Sequence, residues 1–300
     1  MTDLSVSIVL FHNKKEQLIK TISSVLNDTN LNVELYLIDN SKNDILRTLS
    51  NIDKRIIYIF NNSNIGFGKA HNIALRKSVE KNIPYHLVLN PDVYFEKGVL
   101  EELYNFMENN KDVGLIMPKV LYPDGNIQYL CKLLPTPFNL FGRRFLNIWP
   151  FKELIEKRNI IYELRFTKYD KIMEVPYLSG CFMFIRTEVL KKVGLFDERF
   201  FMYLEDTDLS RRIYRVAKTI FYPYVHIYHE YEKGSYKNLK LLYHHILSAI
   251  KYFNKYGWFF DKERKEINKK ILESLQSLKD HPKRFDEFEK KQFDKLNEIK

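Results

Sequence analysis

Several short stretches of the chain carry side chains that could do chemistry. Asp39 closes the apolar run VELYLID, just ahead of Asn40 and Ser41. A carboxylate there can accept a hydrogen bond from the imide N–H of uracil or thymine, although Asp before Asn-Ser is also good turn chemistry. Asp92 follows another apolar run, in LNPDVYF. Pro-Asp starts turns. A carboxylate beside a diphosphate could instead ligate Mg2+ or Mn2+, and the charge of a departing nucleoside diphosphate needs such neutralising. Glu205 and Asp206 open a helical run, with Asp208 close behind. Acids in a first turn complement the helix dipole by about 0.3–1 kcal/mol each. The stretch GLFDERFFMYL before them would hold them in partly dry surroundings, where a carboxylate can serve as a general base. His226 and His229 are both candidate ligands, against the commoner place of a histidine on a surface or in a core.

These groups need a scaffold, and the periodicity supplies one. SVSIVLF reads as a strand, Lys14–Leu26 as a helix, then VELYLID and RIIYIF as strands. YHLVLN is a further strand, Val99–Asn109 a helix and Val113–Met117 a strand. Near-continuous apolar strands alternating with helices predict a mostly parallel sheet covered on both faces. Ligands of such sheets bind at the carboxyl ends of the strands, where His12–Asn13, Asp39–Ser41, Asn61–Gly68 and Asn90–Asp92 fall. The loop NNSNIGFGKAHNIAL carries Gly66 and Gly68 between a strand and a helix. Bare backbone there is expected to let a ligand come close. KVLYPDGNIQYL reads as a hairpin, and residues 131–171 as a long, partly helical connection. IMEVPYLSGCFMFIR is strand-like, broken at Ser179–Gly180, and Thr187 is expected to cap a short helix ending at Gly194. A helix from about Glu205 and a strand at KTIFYP follow, and from Asn238 the chain reads as helix to Lys300.

Composition bounds the function. The 300 residues are 45% hydrophobic, enough for one large domain and an appendage. No apolar run is long enough to cross a membrane, and MTDLSVSIVLFHN reads as a first strand rather than a signal peptide. Cys131 and Cys181 lack metal-site or disulfide-framework spacing, which fits a reducing cytoplasm. The net charge of +10 is spread along the chain, with mild clusters at Arg143–Arg144, Lys157–Arg158 and Lys262–Lys270. It is compatible with a solvated surface, an anionic membrane or phosphorylated substrates, and no nucleic-acid motif accompanies it.

In this order, SIVLFHN, LIDNS, NSNIGFGKAHNIAL, LVLNPDVYF, LSGCFMFIRTEVLKKVGLFDERFFMYLEDTDLSRRI and HEYEKGS resemble an inverting family 2 glycosyltransferase. The resemblance is to the rhamnosyltransferase-like branch of bacterial polysaccharide assembly and spans roughly residues 5 to 235. It implies a GT-A fold over 1–235 (a Rossmann-like sheet flanked by helices) and a helical extension over 236–300. It implies that Phe11, Asp39, Asn64, Gly66, Phe67, Gly68, Asn72 and Asn90 bind the nucleotide sugar, with dTDP-rhamnose favoured. It implies Asp206 as catalytic base with Glu205 beside it, Asp92 and His229 holding Mg2+ or Mn2+, and Ser179 and Gly180 at the acceptor. Asn90 stands where the wider family often has the first acid of Asp-x-Asp. The acceptor would be a glycan or a polyprenyl-diphosphate-linked sugar. The segment Leu239–Phe260, amphipathic, basic and aromatic, with Leu242, Ile246, Ile250 and Phe253 on one face, would either pack on the catalytic domain or lie on an anionic cytoplasmic leaflet, the expectation taken here. The alternatives from the residues alone are a sugar nucleotidyltransferase and a basic nucleic-acid-binding module.

Overall fold

The computed structural model describes residues 2–27, 29–142, 152–230 and 238–280. Its scaffold is a mixed sheet whose strands lie in the order Ile56–Phe60, Val33–Asp39, Leu4–Leu10, Tyr85–Leu89, Phe182–Arg186, Val113–Leu121, Lys218–His229 and Val93–Tyr94, with Met173–Glu174 paired to Lys218–His229. The first half is β1 (Leu4–Leu10), β2 (Val33–Asp39), β3 (Ile56–Phe60) and β4 (Tyr85–Leu89), and all its pairings are parallel. Helices α1 (Lys15–Leu26), α2 (Phe67–Glu80) and α3 (Val99–Asn109) cover its faces. Burial on both sides explains why these strands read as apolar throughout: Leu4, Val6, Ile8, Leu35, Leu37, Leu87 and Leu89 are all inaccessible. Register aligns Leu10 with Asp39 and Asp39 with Phe60, so the loops after β1, β2 and β3 share one edge.

The second half is mixed. β5 is Val93–Tyr94, β6 Val113–Leu121, β7 Met173–Glu174, β8 Phe182–Arg186 and β9 Lys218–His229. β8 runs antiparallel to both β4 and β6, while β6 and β9 are parallel. Between them come α4 (Lys152–Tyr162), α5 (Thr187–Val193) and α6 (Glu205–Tyr214). Two strands outrun their sequence pattern: β6 continues past Met117, and β9 continues past Pro223 to His229. Thr187 is the first residue of α5 and not its cap, because Arg186 holds the extended position before the helix. Gly194 ends α5 as expected, at φ 78°.

The carboxyl-terminal helices α7 (Leu239–Tyr256) and α8 (Lys262–Asp280) pack on this body. Asn238 caps α7 by accepting from the Lys240 and Leu241 N–H groups. Ala249, Tyr252 and Phe253 close a cluster with Phe200 and Leu204. Arg211 of α6, almost wholly buried, donates to both oxygens of Asp261 at 2.7 and 2.8 Å. Asp208 receives Arg212 at 2.8 Å, Lys255 at 2.5 Å and the Tyr256 hydroxyl at 2.7 Å. The expected boundary at 235/236, the pair Arg143–Arg144, most of HEYEKGS and the tail from 281 to Lys300 lie outside the described residues. Among the described residues no helix is long and apolar enough to cross a membrane.

Candidate active site

At the edge formed by β1, β2 and β3, Asp39 is fully buried. Its Oδ1 accepts the Ser41 N–H at 2.8 Å and its Oδ2 accepts the Tyr58 hydroxyl at 2.5 Å. Phe11, at the end of β1, is half-exposed beside this edge. The following loop is braced by asparagines. Asn61 donates to Asn40 at 2.8 Å, Asn40 donates to the Gly66 carbonyl at 3.2 Å, and Asn64 Oδ1 accepts the Gly66 N–H at 3.0 Å.

The glycines of this loop make room for the protein's own chain. Gly66 has φ 93°, and a Cβ there would lie 2.4 Å from the Phe201 carbonyl oxygen. A Cβ on Gly68 would lie 2.9 Å from the Phe196 Cβ. Both therefore admit the protein's own 196–205 segment. Asn72 faces the same way: its amide donates to the Phe196 carbonyl at 2.9 Å and its carbonyl accepts the Phe196 N–H at 3.0 Å. Asn72 thereby holds that segment against α2.

Asp92 and His229 meet across β5 and β9. His229 Nε2 lies 3.4 Å from Asp92 Oδ1, and Asn90 Nδ2 is 3.4 Å from the same nitrogen. His229 Nδ1 faces Gln128 Oε1 at 3.0 Å, and Gln128 Nε2 donates to the His229 carbonyl at 2.7 Å. Gln128 thereby orients the ring so that Nε2 points at the carboxylate. Asp92 Oδ1 is a buried oxygen with no hydrogen-bond partner. Burial works against charge on His229, but the Cys181 sulfur and the Asp92 carboxylate outweigh it and raise its pKa to about 10. Among the described residues no group of three or more His, Cys, Asp or Glu side chains could hold a metal ion, so a divalent cation here would have Asp92 and His229 as its side-chain ligands. His226 is turned to Tyr228, 3.3 Å away.

Glu205 and Asp206 stand at the first turn of α6. Asp206 Oδ2 accepts the Gly180 N–H at 2.9 Å and the Tyr177 hydroxyl at 3.3 Å, while its Oδ1 accepts the Thr207 N–H at 2.7 Å. Burial raises its pKa despite these donors. Glu205 is buried, and its Oε2 has no partner. Burial first, and the neighbouring Asp206 charge second, push Glu205 up to about 8. Burial and the neighbouring carboxylate therefore favour the protonated form of Glu205. Both line a cleft of about 990 Å³, together with Phe67, Asn90, Ser179, Gly180 and His229.

The family model of glycosyl transferase family 2 matches residues 7–194. The chain belongs to this family. A curated relative is an N-acetylglucosaminyl-diphospho-decaprenol L-rhamnosyltransferase of Mycobacterium tuberculosis, 26% identical over 159 residues, half of each chain. Another is the low-salt glycan biosynthesis hexosyltransferase Agl10 of Haloferax volcanii, 28% identical over 53% of this chain and 47% of its own. The chain spans about half the length of these relatives. Among solved structures, GalNAc-T7 with UDP, GalNAc and Mn2+ superposes with a TM-score of 0.57 at 19% identity, over 76% of this chain and 43% of its own. That likeness is one of fold, and with it the expected GT-A scaffold stands.

On this family 2 scaffold, the cleft gathers the acids of α6, the β4 and β9 edge and the Ser179–Gly180 break into one place. Asp39, Asn64 and Asp92 are not among its lining residues and flank it at the strand edges. Sequence reasoning missed Gln128, Lys132, Arg165, Tyr177, Tyr203 and His245, all in the cleft wall. No local signal marks them, because Gln128 works on His229 from 101 positions away and Tyr177 on Asp206 from 29.

Proposed function

We propose that this chain transfers a sugar, with inversion, from a nucleoside diphosphate sugar to a hydroxyl of a glycan or polyprenyl-diphosphate-linked acceptor. The observation that carries the reading is the paired state of the α6 acids. Asp206 stands in a cleft wall, its two carboxyl oxygens held by three donors. Beside it Glu205 holds its own proton, so that the proton of an acceptor hydroxyl has a single destination. Asp206 takes that proton as the oxygen attacks the anomeric carbon from the face opposite the leaving group, the same single-displacement logic as an inverting glycosidase.

The donor lies along the carboxyl edge of β1–β4. Asp39 faces the base, since a carboxylate with two hydrogen bonds filled still has lone pairs for an imide N–H. Phe11 and the Asn64–Gly68 loop border the nucleoside, Asn90 borders the diphosphate, and Asn72 acts through the Phe196 loop. Asp92 and His229 would hold Mg2+ or Mn2+. When bound, the metal neutralises the departing diphosphate. Rhamnose from dTDP-rhamnose is the favoured donor, in keeping with the rhamnosyl transfer for which the mycobacterial relative is named. The work is done in the cytoplasm, at the inner face of the cell membrane.

The test is Asp206→Asn. The amide keeps the shape and loses the proton acceptor. Turnover should fall by roughly 10²–10⁴-fold, while calorimetry finds nucleoside diphosphate binding nearly unchanged. Retention of more than about a tenth of turnover would remove Asp206 from the role of base.

A further inference from the structure

We propose that Lys132 is a positioning residue for the base: its ammonium, carried over the Tyr177 ring, keeps the Asp206 carboxyl ionised and so able to take a proton. The proposal rests on the transfer reading above for the role of Asp206 and adds the group that makes that role workable at neutral pH.

Lys132 is out of character with its surroundings. It sits in CKLL, where Cys131, Leu133 and Leu134 are all buried. The backbone on either side of it is pinned. The Tyr169 hydroxyl accepts the Cys131 N–H at 3.0 Å, the Leu133 N–H donates to the Tyr162 carbonyl at 3.0 Å, and Asn268 Oδ1 accepts the Leu134 N–H at 2.9 Å. Lys132 donates its own N–H to the Tyr177 carbonyl at 3.1 Å, closing an antiparallel bridge between the two residues. Residues opposite one another in such a bridge put their side chains on one face. Accordingly Lys132 Nζ lies 5.4 Å from the Tyr177 ring centroid, within the range at which an aromatic face holds a cation. The Tyr177 hydroxyl in turn lies 3.3 Å from Asp206 Oδ2. Both residues line the cleft with Asp206.

A buried carboxyl that must act as a base needs a positive charge close by. Burial raises the Asp206 pKa, while the Gly180 and Thr207 N–H groups and then the Lys132 charge pull the other way. The three donors that touch Asp206 are neutral, so a full charge has to come from beyond them. The other ionisable groups around the acid are engaged elsewhere. Arg165 is shared between Glu163 and Glu156. His229 faces Asp92 and Gln128, and His245 stands edge-on to Tyr203. On α6 itself, Asp208 is met by Arg212, Lys255 and Tyr256, and Glu205 when ionised repels charge on Asp206. Lys132 is left as the cation whose fixed backbone and ring contact hold it on the Asp206 side of the cleft.

The experiment is carbon-13 NMR on the full chain labelled at the aspartate Cγ and titrated from pH 9 to pH 4. The Asp206 signal is identified by its loss in Asp206→Asn. A Glu205→Gln background removes the neighbouring titration, so that the curve belongs to one group. In that background Lys132→Met, which keeps the stem and removes the charge, should raise the Asp206 midpoint by about 1 pH unit or more, the effect of losing a nearby opposite charge. Lys132→Arg, which keeps the charge, should hold the midpoint near that of native Lys132. Lys132→Gln carries the test if the methionine variant does not fold. A lysine with a merely structural role would not sort these variants by charge. The proposal is overturned if the neutral variants leave the midpoint in place, or if Lys132→Arg raises it as far as they do. Calorimetry of the wild type with nucleoside diphosphate and Mn2+ runs beside the titration. Absence of any binding there would overturn the transfer reading and leave the titration result standing.

Discussion

Adjacent carboxyl groups at the start of α6 are made unlike by their surroundings. Glu205 has an unpartnered oxygen and a pKa near 8, while Asp206 has three donors around its two oxygens. The shift has a consequence for stability. A carboxyl whose folded pKa lies above its unfolded one stabilises the fold fully below the unfolded value and loses that contribution as pH rises through the folded value. For Glu205 the window runs from the ordinary 4.5 to about 8, and Asp206 is shifted in the same direction. Glu205→Gln has no proton to lose. Its melting temperature should therefore exceed that of the wild type at pH 9, with the advantage shrinking or reversing at pH 5. Parallel melting curves across this range would show that Glu205 is not held protonated. The sequence made this pair legible, because acids follow an aromatic run at a helix start. It did not make Tyr177 or Gln128 legible, because each acts through a contact that only the folded sheet creates.

At the scale of elements, the 196–205 segment is held from opposite sides. On one side α2 presents Gly66 and Gly68, and the Phe67 N–H donates to the Phe201 carbonyl at 2.9 Å. On the other, α7 donates from Ser248 to the Met202 carbonyl at 2.8 Å and from Lys251 to the Arg199 carbonyl at 2.6 Å. Between these grips Tyr203 and Leu204 adopt φ of 71° and 66°, a left-handed turn that costs non-glycine residues energy and persists only when its surroundings impose it. That turn delivers Glu205 and Asp206 to the cleft. Gly66→Ala would place a Cβ against the Phe201 carbonyl at a backbone angle that alanine resists. Urea melts should register a loss of roughly 1–3 kcal/mol, and transfer should fall further than the stability loss alone explains. An unaltered melt would mean that the segment moves aside without cost. The strands and the helix Val99–Asn109 were legible because each repeats a local period. The contacts of the glycines were not, because the atoms they make room for lie 135 residues later for Gly66 and 128 for Gly68.

At the scale of the whole molecule, the packing of α7 decides which of its aromatic residues remain for a membrane. Phe253 is buried, and Trp258 stacks on Phe141 at 6.3 Å and leans on Phe253 at 5.2 Å, so both belong to the body of the protein. Leu242, Ile246 and Ile250 are half-buried. Leu239 is 83% exposed, Tyr243 59%, Phe259 71% and Phe260 97%. Phe259 and Phe260 follow Gly257 and Trp258 and precede Lys262 of α8, so apolar rings and a cation project from one corner. Shallow insertion of two such rings, aided by the net charge of +10, fits weak attachment to an anionic surface. The wild type should co-sediment with phosphatidylserine-containing vesicles at low salt and release as salt rises, because screening shortens the reach of its charge to about 10 Å at 0.1 M. Replacing Phe259 and Phe260 together by Ser should weaken co-sedimentation and leave the melting temperature unchanged, since neither ring is packed. Trp258→Ser should do the reverse and lower the melting temperature, through loss of its contacts with Phe141 and Phe253. Vesicle binding that ignores both salt and the phenylalanine pair would refute attachment through this corner.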